Sequence, residues 1–147
     1  MSLKDQLSEQ QKIAMRARDK ARLSTLRMLL AEINQKEIDS REILNDDDVI
    51  TIVTKMVKQR KDAATQYEQA GRQELADGEL QEIVVLQEFL PQPLSADELE
   101  TLLTNAIADS GATGMQDMGK VMAVLKPQIQ GRADMGKVSA SIKARLA

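Results

Sequence analysis

A chain of 147 residues with 42% hydrophobic and 29% charged residues can bury a real core, as one domain or as two small ones. Its 20 basic and 23 acidic residues leave a net charge of −3, so the chain as a whole is no polycation, and it contains neither cysteine nor histidine. Those two absences exclude disulfides, thiolate metal sites, a cysteine nucleophile, a histidine general base and the Ser-His-Asp triad.

The chain reads as helix almost throughout, because no glycine precedes Gly71, no proline precedes Pro91, and Ala, Leu, Glu, Gln, Lys, Arg and Met dominate. Leu3, Leu7, Ala14 and Met15 predict a first amphipathic helix. Asp19 caps a second, in which Leu23, Leu26, Leu30 and Ile33 share one face. Asn45-Asp46-Asp47-Asp48 opens a third, which carries Val49, Ile52, Val53, Met56, Ala63, Tyr67 and Ala70. The acids there read as a cap and a first turn that suits the helix dipole, and no metal site is expected. Gly71 ends that helix. A fourth carries Leu80, Ile83, Val84 and Leu90 up to Pro91.

Leu90-Pro91-Gln92-Pro93-Leu94 predicts a linker, since two prolines in three residues end a helix and stiffen the segment after it. Ser95 and Glu98 then predict a capping box before a fifth helix with Leu99, Leu102, Leu103, Ala106 and Ile107 on its apolar face. After Gly111 and Gly114 comes a duplication. Asp117-Met118-Gly119-Lys120-Val121 recurs as Asp134-Met135-Gly136-Lys137-Val138, and the likeness continues through Ala123/Ala140, Leu125/Ile142, Lys126/Lys143 and Ile129/Leu146. Gly131 lies between the copies, and glycines and Pro127 punctuate this region. The expected architecture is all-α in two domains: a four-helix domain over 1–91 and a smaller three-helix domain over 94–147 that holds the repeated unit.

Charge is unevenly spread. From Gly111 to Ala147 six bases (Lys120, Lys126, Arg132, Lys137, Lys143, Arg145) face two acids (Asp117, Asp134), and Lys12 to Arg27 holds six bases against Asp19. Lys55, Lys58, Arg60 and Lys61 form a third cluster. Local positive potential of this kind attracts polyanions, although most charge runs are simply solvated helix faces. In each repeat the Asp stands at an expected N-cap, with Gly119 or Gly136 and then a lysine in the first turn, so phosphate could meet bare N–H groups and a cation together. Short helical hairpins also repeat caps and glycines for folding reasons alone.

Lys58-Gln59-Arg60-Lys61-Asp62-Ala63, Ala70-Gly71-Arg72, Phe89-Leu90-Pro91, Met118-Gly119-Lys120-Val121-Met122 and Gly131-Arg132-Ala133-Asp134, in that order, resemble the YqeY family over the whole chain. That family is similar to the tail region of the GatB subunit of the glutamine-dependent aspartyl/glutamyl-tRNA amidotransferase, a helical appendage that helps grip tRNA. The resemblance implies a two-domain helical fold and a link to tRNA, and it carries no catalytic residue to this chain. Where GatB-like tails read Gly-Lys-Ala-Asp-Gly-Lys, this chain has Gly131-Arg132-Ala133-Asp134-Met135-Gly136-Lys137, with the spacing altered.

Independent catalysis is not expected. The chain has no phosphate-cradling Gly-x-x-x-x-Gly-Lys-Ser/Thr loop, and Ser139 with Lys143 is a serine–lysine pair on a short helix without an evident oxyanion hole. Carbon–nitrogen ligase activity with glutamine as amido donor would be inherited from the larger relative. The expected function is a tRNA-associated or structured-RNA-binding helical module without cofactor or metal, using Lys120, Arg132, Lys137, Lys126, Lys143, Gly119, Gly136, Lys58, Arg60 and Lys61. Tyr67 and Phe89 are the only aromatic residues, so single-strand stacking is disfavoured, and Phe89 reads as core. The alternative is a protein-interaction adaptor with no RNA binding. No apolar run spans a bilayer and residues 1–16 lack a signal-peptide block, which leads to a cytoplasmic expectation with no membrane partner.

Overall fold

The computed structural model describes residues 2–147 and is all-helical, with no strand among them. Chain contacts group it into two compact units, Met1–Leu90 and Pro91–Ala147. In the first, α1 (Leu3–Arg16) packs on α2 (Lys20–Ser40), and α3 (Asp46–Gln69) pairs along its length with α4 (Gln73–Gln87). Its core gathers Leu7, Leu26, Leu29, Ile33, Val49, Val53, Met56, Leu86 and Phe89, each burial of such a side chain being worth roughly 1.5–3 kcal/mol.

The helix starts follow local chemistry. Ser2 caps α1 by accepting the Asp5 N–H, and Asp19 caps α2 by accepting the Arg22 N–H at 3.2 Å. Asn45 and Asp48 form a reciprocal capping box at α3, with bonds of 2.9 and 3.1 Å, so these residues close the helix end as the sequence predicts. Glu37 ties three segments together: its carboxylate pairs with Lys4 of α1 and accepts the Leu44 N–H at 2.9 Å from the loop before α3. The Lys4 hydrogen bond, then the Leu44 N–H, hold its carboxyl below the usual glutamate value.

Two predicted apolar faces differ in the structure. On α4, Val84 (64% exposed) and Leu80 (42%) face solvent, while Ala76, Ile83 and Leu86 are buried. Residues 83–86 are apolar on all sides of a helical turn, so spacing alone could not choose the face; packing against α3 does. Likewise Met15 of α1 is 52% exposed, and Leu29 lies in the core beside the predicted Leu26.

The second unit contains α5 (Ala96–Ser110), a 3₁₀ turn (Met115–Asp117), α6 (Met118–Ile129) and α7 (Met135–Leu146). Its smaller core is Leu103, Ala106, Val121, Leu125, Ile129, Val138 and Ile142. Ser95 Oγ accepts the Glu98 N–H at 3.1 Å, while the Glu98 carboxylate lies 3.8 Å from the Arg132 guanidinium. The reciprocal half of the predicted capping box gives way to that ion pair. Pro127 does not break α6, which runs on to Ile129. A proline in the last turn costs the bond to an exposed carbonyl that water can serve, and Gln128 Nε2 donates to the neighbouring Val124 carbonyl at 3.1 Å. Gly131, at φ +74°, supplies the left-handed residue that turns the chain from α6 toward α7.

Candidate nucleic-acid interface

The duplication in sequence is a duplication in structure. Val121 and Val138, then Leu125 and Ile142, are fully buried at matching positions of α6 and α7. Opposite them, Gly119, Lys120, Ala123, Lys126 and Pro127 on α6 and Gly136, Lys137, Ala140, Lys143 and Ala144 on α7 are all accessible. At 100° per residue the two lysines of each helix flank a strip of small residues. Each helix therefore offers accessible backbone between two long cations.

The two copies differ at their starts. Asp134 caps α7, with its Oδ1 accepting the Gly136 N–H at 2.8 Å and the Lys137 N–H at 3.3 Å. The first-turn donors expected to meet a phosphate are thus occupied by the protein's own carboxylate. Asp117 makes no side-chain cap to α6. It closes the 3₁₀ turn, and its Oδ2 accepts the Thr113 N–H at 3.0 Å while Oδ1 stands 3.6 Å from Lys120 Nζ. The Thr113 N–H is the main influence holding the Asp117 carboxyl below the ordinary aspartate value, with the Lys120 charge adding to it.

The remaining cations divide by engagement. Lys126, Lys137 and Lys143 are exposed, with no side-chain partner among the described residues, and Lys58 and Lys61 of α3 are likewise free. Lys120 is 71% exposed at its side chain, and its pair with Asp117 is the kind that water largely screens. Arg132 is committed within its own unit. Its Nε donates to the Gln92 carbonyl at 2.9 Å, its guanidinium faces Glu98, and its own carbonyl accepts the Leu94 N–H at 2.9 Å. Arg60 is also inward, donating to Glu82 at 2.8 Å and to the Met56 carbonyl at 3.3 Å, with its side chain only 14% exposed. Sequence showed that these arginines were charged; the Glu82 carboxylate and the Gln92 carbonyl that engage them lie 22 and 40 residues away and carry no local signal. Arg145, outside the predicted set, pairs with Glu100 and donates to Thr104 at 3.2 Å, tying α7 to α5.

The profile of the Yqey-like protein family matches residues 4–146, nearly the whole chain. The chain belongs to the YqeY family. Among curated relatives it is 37% identical over 82 residues to the uncharacterized protein C22F3.15 of Schizosaccharomyces pombe, covering 56% of this chain and 67% of that protein. It is 32% identical to the altered inheritance of mitochondria protein 41, mitochondrial, of Vanderwaltozyma polyspora, covering 76% of this chain and 64% of the relative. The protein of the same name from Kluyveromyces lactis is also 32% identical, over 70% of this chain and 57% of its own length. The YqeY chain thus spans roughly six-tenths of those relatives' length. No helix among the described residues is long and apolar enough to cross a membrane, and no group of acidic residues there could hold a metal ion.

Proposed function

We propose that this YqeY protein is a tRNA-associated binding module, related to the tail of the GatB subunit, that holds structured RNA through the outer face of its repeated helices. The observation that carries this reading is the pair of matched lysine-flanked strips on α6 and α7, in which three of four lysines have no partner among the described residues. Lysines on either side of small residues let a phosphate backbone approach closely and be neutralised from both sides, which gives affinity without base reading. Because Asp134 seals the start of α7, that helix offers its lysine side chains rather than its first-turn N–H groups. Within the first unit, Lys58 and Lys61 are further exposed cations on α3.

The same proposal treats the units as a four-helix and a three-helix domain, each folding on its own core. It assigns no catalytic residue, so glutamine-dependent amide transfer would belong to the larger relative. The cysteine-free composition accords with a cytoplasmic location, whereas the name of several relatives places them in mitochondria. The test is charge reversal with a folding control. The Lys120→Glu, Lys137→Glu double variant should bind bulk tRNA at least tenfold more weakly at low salt while still folding and melting cooperatively, with at most the small loss expected of the exposed Lys120–Asp117 pair. Equal affinity of the folded variant, or no binding by the native protein at low salt, would leave the protein-adaptor reading ahead. A specific observation favours that second reading as well: Ile43 is 88% exposed and Ile38 69% exposed around the loop that follows α2.

A further inference from the structure

The first unit carries a shallow, open depression of about 380 Å³ on the face of α2, a groove only in the sense that side chains of that one helix, Lys20, Leu23, Ser24, Arg27, Met28 and Ala31, line it. Their spacing of three and four places all six on one stripe of the helix. Leu23 and Met28 form a half-buried apolar floor against the core, while Lys20, Arg27 and Ala31 are exposed. Neither cation has a side-chain partner among the described residues. The contrast with the neighbouring cleft, about 280 Å³ and lined by Arg22, Gln10, Glu88 and Phe89 among others, is direct. There the arginine is neutralised, by a pair with Glu88 and a bond to Gln10 Oε1 at 3.1 Å. Of the two, only the α2 groove combines an open apolar floor with uncompensated positive charge along its rim.

We propose that this groove docks an acidic amphipathic helix of a protein partner. The stripe from Lys20 to Ala31 is roughly 16 Å long at 1.5 Å per residue, the length of three helical turns. Lys20 and Arg27 stand two turns apart, so carboxylates at the same repeat on a facing helix meet both, while apolar side chains between them cover Leu23 and Met28. An RNA strand satisfies only half of that chemistry. It would neutralise the two cations, yet it has no aliphatic surface for the floor, and no aromatic residue lines the groove to stack a base.

The experiment uses the full chain and a helix-stapled peptide of about four turns, with leucines at i, i+4 and i+7 flanked by glutamates. Methyl NMR should show saturable shifts at Leu23, Met28 and Ala31. Raising salt should weaken binding, and the same peptide with lysines for glutamates should not bind. Lys20→Glu with Arg27→Glu should weaken binding at least tenfold. So should Ala31→Glu, which blocks the floor and gives Arg27 an intramolecular carboxylate one turn away, at a solvent-exposed position that leaves melting unchanged. Lys120→Glu with Lys137→Glu should leave peptide binding as it was, which separates this site from the RNA reading. The idea is overturned by shifts confined to other surfaces, by equal binding of the lysine peptide, or by an RNA hairpin that binds the same residues more tightly than the peptide does. Concentration-dependent self-association that shifts Leu23 and Met28 without peptide would overturn it in favour of a second copy as occupant.

Discussion

The two copies of Asp-Met-Gly-Lys-Val fold into helices with the same buried and exposed faces, yet their aspartates do different jobs. Asp134 follows Gly131-Arg132-Ala133, enters extended at φ −74° and ψ 113°, and reaches forward to the N–H groups of α7. Asp117 ends a 3₁₀ turn at φ −94° and ψ 2°, which aims its carboxylate back to Thr113. Identical residues therefore cap or brace according to the backbone that delivers them. The apolar and lysine positions escape this, because helical periodicity alone fixes which way they point.

The largest expected effect tests that shared frame. Leu125→Ala and Ile142→Ala occupy equivalent, fully buried sites, so each should cost about 2–5 kcal/mol in a denaturant melt, and the two losses should be similar. A loss at one site only would show that the copies do not contribute equally to the core. The capping difference comes next. Asp134→Ala should cost about 1 kcal/mol and speed hydrogen exchange in the first turn of α7, whereas Asp117→Ala should leave the first turn of α6 protected and expose the Thr113 N–H instead.

Acid should separate the copies further. The Asp117 carboxyl titrates below its ordinary value in the folded state, so its stabilisation is present above the unfolded pKa and is lost as pH falls through the folded one. The stability difference between wild type and Asp117→Asn should be full at neutral pH and shrink as pH falls below the ordinary aspartate range. A pH-independent difference would contradict the Thr113 and Lys120 interactions.

The smallest effect concerns the glycines. A Cβ at Gly119 meets open space, so Gly119→Ala should stabilise α6 by about 0.5–1 kcal/mol. At Gly136 the same atom would sit 3.2 Å from Asp134 Oδ1, so the cap must yield and the gain should shrink or disappear. Thermal melts of the two variants suffice to compare them.

Much of this was legible from residue types. The Asn45–Asp48 cluster announced a cap and an acidic first turn, Asp19 and Asp134 their caps, and Leu26, Ile33, Val53 and Leu103 their buried faces, because each depends on neighbours within a turn or two. Features that depend on distant partners were not. Arg60 and Arg132 looked like free cations until Glu82 and the Gln92 carbonyl were brought to them, and the outward turn of Val84 was decided by the packing of α4 on α3. The bracing role of Asp117 was hidden because nothing in Thr113-Gly114 declares a 3₁₀ turn rather than an open loop.

The most direct test of the central claim is the salt dependence of tRNA binding by Lys126→Glu, Lys143→Glu and their combination. These lysines hold matching exposed positions on α6 and α7, away from the caps that differ. If both strips grip phosphate, each single variant should lower the slope of log affinity against log salt by about 1, and the combination by about 2, with melting unchanged. A native slope near zero, or a slope unmoved by the folded double variant, would contradict the account.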